Sequence, residues 1–245
     1  MNNKTDMQEI PYVGNELELF QHATTWKNYF GKFLQPYLKG KVLEVGAGIG
    51  GTTLHLCDGT QTKWTCLEPD RDLFQELKRK VDAKELPACC EAVKGVISDL
   101  PPSVTYNTIM YIDVIEHIED DRAELASAYN YLDEGGYLLV LVPAHQYVFS
   151  PFDKSIGHYR RYNKKMLRQA APKGVTVKRM WYLDSMGLIA SVVNKLFLKQ
   201  SYPTTAQVSM WDKKLVPISK FADRLINYQT GKTLVAIWQK TSAQK

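Results

Sequence analysis

The stretch KVLEVGAGIGGTT, Lys41–Thr53, decides the fold. Val42, Leu43 and Val45 read as a short buried strand, and a run of small residues follows at once. Gly46, Gly48 and Gly50 let the backbone turn sharply and allow a ligand to approach it with no Cβ in the way. Glu44 lies two residues before the first glycine. A carboxylate there suits a ligand with an ammonium or sulfonium charge better than one with a pyrophosphate.

The same letters satisfy the dinucleotide pattern GxGxxG through Gly46, Gly48 and Gly51, so the glycines alone decide little. Further on, WTCLEPD, Trp64–Asp70, ends a second strand on Glu68. Its distance from Gly46 is about 20 residues, the separation at which a carboxylate meets ribose hydroxyls in an open α/β sheet. Glu68 therefore points to an adenosine without saying which one.

Outward from this centre, strands alternate with helices. Strands are expected at 41–45, 63–67, 91–94, 107–112, 137–142, 175–182 and 233–239, the fifth buried on both faces. Helices are expected over 16–37, from about Gly50, over 71–81 after Pro69 and Asp70, over 120–132, and over 164–170 capped by Asn163. The alternation predicts an α/β fold: a doubly wound, mostly parallel, seven-stranded Rossmann-like sheet with N-terminal helices. Four parts follow: a helical entry or lid segment (1–40), a ligand-binding core (41–182), a helical insert (183–230) and the last strand with its tail (231–245). In the insert, Leu188, Ile189, Val192, Val193, Leu196 and Phe197 form one apolar stripe. The expectation is that it packs onto the domain as a substrate lid, with contact to a membrane surface as the alternative.

A chain of 245 residues, 44% hydrophobic and 23% charged, can bury a full core. The polar start MNNKTDMQEI is unlike a secretory signal, and apolar runs such as Tyr137–Ala144 are too short to span a bilayer, so a cytoplasmic location without a transmembrane segment is expected. Cys57, Cys66, Cys89 and Cys90 show no zinc-like spacing and read as reduced buried thiols. The net charge of +5 does not by itself imply nucleic acid. Between Asp153 and Arg179 that one acid faces nine lysines and arginines, which makes a solvated face or an anion site.

The pattern E-x-G-x-G-x-G, followed by the Glu68 carboxylate, resembles class I S-adenosylmethionine-dependent methyltransferases, and the resemblance extends over most of the chain. IDVIEHI, Ile112–Ile118, is similar to that superfamily's segment after the fourth strand, and LDEGGYLLVLVP, Leu132–Pro143, to its double-glycine turn and fifth strand. Trp26–Lys27, the glycine loop and GHYRRY, Gly157–Tyr162, resemble a bacterial subgroup associated with surface-polysaccharide or secondary-metabolite synthesis. The resemblance implies S-adenosyl-L-methionine as cofactor and S-adenosyl-L-homocysteine as product. It implies that Glu44, Gly46, Gly48 and Gly50 hold the methionine portion and Glu68 the ribose. Pro69 and Asp70 would line the adenine, and Asp113 would stand beside the amino group and the methyl. Where many members carry an acid after the third strand this chain has Val96, so adenine would meet the backbone near Val96 and Ile97, or Ser98, with Asp99 as a substitute or a turn residue.

The implied reaction moves a methyl group to an oxygen or nitrogen of a small-molecule or glycan-linked acceptor. A hydroxyl acceptor needs a base within reach. His145, directly after the fifth strand, and Asp113 are the catalytic candidates, and a loop-fixing role is the alternative for His145. His117 reads as a packing or capping residue. His145, His158, Arg160, Arg161 and Tyr162 are the candidate acceptor contacts, the arginines for a phosphate or carboxylate. Trp26, Lys27 and Tyr29 either close over the methionine carboxylate or simply pack. Nothing requires a metal, although Asp113, Glu116 and His117 lie close enough in sequence for a divalent ion, and nothing sets an oligomeric state. Two other readings compete: an NAD(P)-dependent oxidoreductase, which leaves Glu44 without work, and an RNA methyltransferase, for which the basic segment speaks. DNA is not an expected partner: Asp113 is followed by Val-Ile rather than by the proline pair of base-amine methylases, and there is no Pro-Cys pair.

Overall fold

The computed structural model describes residues 16–198, 200 and 202–241, so parts of the entry segment and tail lie outside the described residues. In chain order the elements are α1 (Glu16–Phe20), α2 (Thr24–Leu34), β1 (Lys41–Val45), α3 (Thr53–Leu56), β2 (Lys63–Glu68), α4 (Arg71–Asp82), β3 (Cys90–Lys94) and β4 (Tyr106–Ile112). They continue through α5 (Asp121–Asn130), β5 (Leu132–Pro143), α6 (Pro151–Ser155), α7 (Lys164–Ala170), β6 (Val175–Leu183), α8 (Ser185–Val193), α9 (Thr205–Met210), α10 (Val216–Leu225) and β7 (Thr233–Lys240).

The seven strands form one sheet in the order β3-β2-β1-β4-β5-β7-β6. The pairs from β3 to β5 are parallel, and β7 runs antiparallel to both β5 and β6. This is the expected mostly parallel α/β sheet. Apolar side chains cover both faces. Leu125, Ala128 and Leu167 lie against Ile109, Tyr111, Leu138 and Trp238 on one side, while Phe30, Leu34 and Leu77 belong with Val42, Trp64, Leu139 and Val235 on the other. Leu138 through Val142 are fully buried, as a central strand with helices on both faces must be.

Local signals set the helix starts. Asp70 accepts the amides of Asp72 and Leu73 at the head of α4, Asp120 that of Ala123 at α5, and Asn163 that of Met166 at α7. Two boundaries differ from the sequence reading. The helix expected from Gly50 is the single turn of α3. The double glycine does not end an element but bulges within β5: Tyr106 pairs with Leu132 and Thr108 with Tyr137, so the intervening residues loop out of the ladder.

The insert closes the sheet rather than interrupting it. β6 ends at Leu183 beside Thr233, the first residue of β7, so the insert begins and ends at the carboxyl edge of the parallel strands. There it meets the entry segment through buried acids. Asp212 accepts the amides of Thr25 (3.2 Å) and Trp26 (2.8 Å), capping α2 from 186 residues away. Asp223 accepts the Tyr29 hydroxyl (2.9 Å) and the amides of Asp184 and Ser185. Asp184, in a left-handed conformation, accepts from Gly187, Ser219 and Trp211; a Cβ on Gly187 would lie 1.8 Å from its carboxylate.

The apolar stripe of the insert does not pack as expected. Leu188 is buried, but Ile189, Val193, Leu196 and Phe197 are exposed, Phe197 by 75%. α8 docks by its first turn, where Ser185, Gly187 and Leu188 meet the buried acids, and the rest projects outward. The cysteines are free thiols as expected, with Cys57, Cys66 and Cys90 buried and Cys89 half-buried, and three of them meet. The thiol of Cys57 lies 3.3 Å from Cys89 and 3.6 Å from Cys90, because the exit of α3 and the start of β3 meet at one end of the sheet. All four thiols remain reduced. No helix among the described residues is long and apolar enough to cross a membrane.

Removing the Asp212 carboxylate leaves two α2 amides unsatisfied. Asp212→Ala is expected to lower unfolding stability by about 1–2 kcal/mol, measured by urea denaturation; an unchanged midpoint would show that the cap contributes nothing.

Candidate active site

The carboxyl edge of the sheet gathers the loops after β1, β2, β4 and β5 together with the start of β7. The glycine loop is fastened from two sides. Gly46 and Ala47 donate to the Leu67 carbonyl, and Lys80 reaches the Ile49 carbonyl at 3.0 Å. Gly46 has a φ of +68°, and a Cβ there would lie 2.6 Å from Val114, so only glycine lets the β4 tip approach the loop this closely.

Glu68 sits under the loop, 5% exposed. One carboxylate oxygen accepts the Gly48 amide at 2.7 Å and the other the Asp70 amide at 2.9 Å. Burial raises its pKa, while the two amides oppose the shift. Each oxygen keeps further lone-pair capacity, so the carboxylate is suited to accept two hydroxyls while still fixing the loop. Pro69 and Asp70 are half-buried beside it, and Asp70 also caps α4.

Glu44 is placed deeper than the sequence suggests. It is 2% exposed, and its Oε2 accepts the Thr53 hydroxyl at 2.6 Å and the Trp64 indole at 2.9 Å, tying β1 to α3 and β2 beneath the glycines. Burial pushes its pKa up to about 7, against these two bonds and the Lys27 charge. Lys27 reaches the loop from α2: its ammonium donates to the Gln21 carbonyl and lies 3.4 Å from where a Gly51 Cβ would be. Burial lowers the Lys27 pKa, while Asp212 and Glu44 oppose the shift. Trp26 and Tyr29 are packing residues, with Trp26 against Phe30 and Trp211 and Tyr29 bonded to Asp223.

At the third strand, the Val96 amide donates to Asp99 at 2.9 Å, and Ile97 is buried in the core. Asp99 is thus a turn residue, and the Val96 amide, one of the backbone groups expected near adenine, is spent on that turn. Ser98 is exposed at the same turn.

The acceptor candidates divide. Asp113 is exposed at the tip of β4, in the left-handed region at φ +53°. His145, also left-handed at φ +67°, is stacked 4.9 Å from Tyr182, with Nε2 3.3 Å from the Thr230 hydroxyl. These contacts fix the loop. Burial and the Arg161 charge lower its pKa.

The arginines are not presented to an anion. Arg160 donates to the Ile118 and Glu119 carbonyls and pairs with Asp121 at 3.1 Å. Arg161 is buried and grips Asp153 with two bonds, at 2.8 and 3.0 Å. Tyr162 is a core residue, 1% exposed, whose hydroxyl donates to Asp121. Of the nine cations of this segment, Arg160 is paired with Asp121, an acid from an earlier helix, and Arg161 with Asp153. His158 is nearly buried, with Nδ1 3.0 Å from Asp153.

Two further groups lie near this edge. Glu116, read from the sequence only as a conceivable ion ligand, is fully buried after β4, next to His117. Lys232 precedes β7, and because β7 is antiparallel its first residues lie at the carboxyl edge; the Lys232 ammonium is 5.0 Å from the Trp211 ring centre. Burial lowers its pKa, opposed by the Asp184 charge, with Asp153 and Asp113 acting in the same direction. Strand direction would have revealed Lys232, since an antiparallel last strand must begin at this edge.

A nucleoside-binding α/β sheet with an antiparallel seventh strand is the class these features define. Residues 21–241 match the family described as Methyltransferase domain, and the chain belongs to that family. Its structure is similar to the methyltransferase in the Haloferax volcanii complex with the Trm112 activator (TM-score 0.62, 15% identity, 95% of this chain and 99% of that one). It is also similar to the [4+2]-cyclase SpnF (0.60, 12%, 96% and 99%) and to coclaurine N-methyltransferase solved with N-methylheliamine and S-adenosylhomocysteine (0.59, 13%, 89% and 72%). At such identities the likeness is one of fold, and a cyclase among these structures shows that the fold does not fix the reaction. No curated protein matches in sequence.

The raised pKa of Glu44 has a direct consequence. Between its ordinary 4.5 and about 7 the folded chain keeps a proton that the unfolded chain has lost, so stability falls as pH rises through that window. The loss is roughly 3 kcal/mol at most. Glu44→Gln, which can still accept from Thr53 and Trp64, should remove this slope, so that its stability relative to wild type rises from pH 5 to pH 8 in denaturation curves. Parallel curves would refute the assignment.

Proposed function

We propose that the chain transfers the methyl group of S-adenosylmethionine to a hydroxyl oxygen, or failing that a nitrogen, of a small-molecule or glycan-linked acceptor. The observation that carries the cofactor is the Glu68 carboxylate closed onto the Gly48 and Asp70 amides under a glycine loop that a side chain would fill. Glu68 would hold the ribose hydroxyls. Lys27, above the loop, would meet the methionine carboxylate, while Glu44 contributes negative potential from beneath rather than the main contact. Exposed Asp113 would face the ammonium and the reacting methyl from the tip of β4. When bound, the cofactor supplies an electrophilic methyl on a sulfonium.

Methyl transfer is an in-line displacement, so alignment and exclusion of water are the main demands on the chain. Asp212, between α9 and α10, and Asp223, in α10, tie the insert to α2, which supports a reading of 183–230 as a fixed roof over the acceptor. His145 is a positioning residue, holding the loop after β5 against Tyr182 and Thr230. A hydroxyl acceptor must lose its proton as it reacts, which adds one demand on this edge beyond alignment. A phosphate-bearing acceptor loses its support, because Arg160 and Arg161 are committed to Asp121, Asp153 and backbone carbonyls. The same commitment weakens the RNA reading.

Two variants test the cofactor site. Glu68→Gln keeps the shape but puts a donor where an acceptor is needed, and should weaken S-adenosylhomocysteine binding at least tenfold in calorimetry. Lys27→Met should weaken it several-fold while leaving adenosine binding nearly unchanged. Retained affinity in Glu68→Gln, or binding of NAD in place of S-adenosylhomocysteine, would overturn the proposal.

A further inference from the structure

The turn after β4 and the segment before Arg160 place one carboxylate and two imidazoles together, away from the glycine loop. Glu116 is 0% exposed, and neither of its carboxylate oxygens has a hydrogen-bond partner. An ionised group in that state is costly, and a buried carboxylate is ordinarily met by donors or by a cation. His117 and His158 lie beside it, their rings nearly perpendicular with centres 4.5 Å apart. One donor atom from each of the three residues falls within 4.8 Å of the others.

The orientation of His158 narrows the choice. Its Nδ1 is 3.0 Å from Asp153, a carboxylate gripped by Arg161 and by Ser150. That contact turns Nδ1 toward Asp153 and leaves the other nitrogen, Nε2, directed at Glu116, 3.8 Å from its Oε1. The distance is too long for a direct hydrogen bond, and both Glu116 oxygens stay without a partner. A metal ion held between the carboxylate and the two imidazoles would supply the positive charge that this buried acid lacks. Ligand atoms about 2.1 Å from a tetrahedral ion stand ~3.4 Å apart, a spacing these side chains reach by small rotations. A carboxylate behind a ligating histidine is the usual outer support of such an ion.

We propose that Glu116, His117 and His158 form a binding site for one first-row divalent transition-metal ion such as Zn²⁺ or Mn²⁺. Two imidazole nitrogens among three donors favour such an ion over Mg²⁺ or Ca²⁺, which prefer all-oxygen shells. Three protein ligands leave coordination positions open. Resting on the hydroxyl-acceptor reading above, the ion gives the site a function. An acceptor hydroxyl bound at an open position loses its proton to water at lower pH; its oxygen then forms a bond to the methyl carbon, while the carbon–sulfur bond breaks and its electron pair stays on sulfur. Asp113, three residues before Glu116, connects this turn to the tip of β4, where the proposed function puts the reacting methyl.

The test is ion binding to the full chain without cofactor or acceptor, so it stands apart from methyl transfer. Mn²⁺ is the probe because the Cys57, Cys89 and Cys90 thiols compete poorly for it. Titration followed by the electron paramagnetic resonance signal of the free ion should show one bound equivalent in wild type. Binding should be at least thirtyfold weaker in Glu116→Gln and in His158→Asn, each checked for folding by circular dichroism; if one variant unfolds, the other carries the comparison. Absence of binding in wild type at millimolar Mn²⁺ and Zn²⁺, or equal binding in a folded variant, would overturn the site. S-adenosylhomocysteine binding, measured separately, reports on the cofactor reading alone.

Discussion

The closure of two backbone amides on the Glu68 carboxylate is the interaction from which the site is organised. The Gly48 amide comes from the turn after β1 and the Asp70 amide from the head of α4, so one side chain at the end of β2 sets both. The turn is then positioned against Leu67 and the tip of β4, where Val114 occupies the space that any side chain at Gly46 would need. The candidate site is a consequence of strand ends brought into register with amides that have no partner within their own element.

The second organising device is a set of buried acids that join distant segments. Asp212 and Asp223 connect the insert to α2, Asp184 connects the end of β6 to Trp211 and Ser219, and Asp153 holds Arg161 and His158. Each has several donors, which is the condition for burying a carboxylate without large cost. Glu116 stands apart, equally buried but without donors. That contrast within one molecule makes Glu116 informative about function, since its neighbours show how the chain treats acids that serve structure alone.

The exposed side of α8 and its continuation is the remaining oddity. Ile189, Val193, Leu196 and Phe197 meet no neighbour that buries them, although the helix is well anchored at its first turn. An amphipathic pattern records which residues share a face but not whether the fold supplies a surface to cover it.

The sequence by itself determined the succession of strands and helices, the mostly parallel α/β class, the glycine loop, the place of Glu68 at the end of β2, the helix starts near Asp70 and Asp120, and the cap at Asn163. These are local patterns: periodicity, turn residues and first-turn acids act within a few residues and are legible as such. Only the tertiary structure decided the partners of Arg160, Arg161 and Tyr162, the meeting of three thiols, the inward turn of Glu44, and the place of Lys232 at the reactive edge. The physical reason is the same in each case. A side chain's charge and hydrogen-bonding capacity are written in its own letter, but which group satisfies them depends on segments from tens to nearly two hundred residues away.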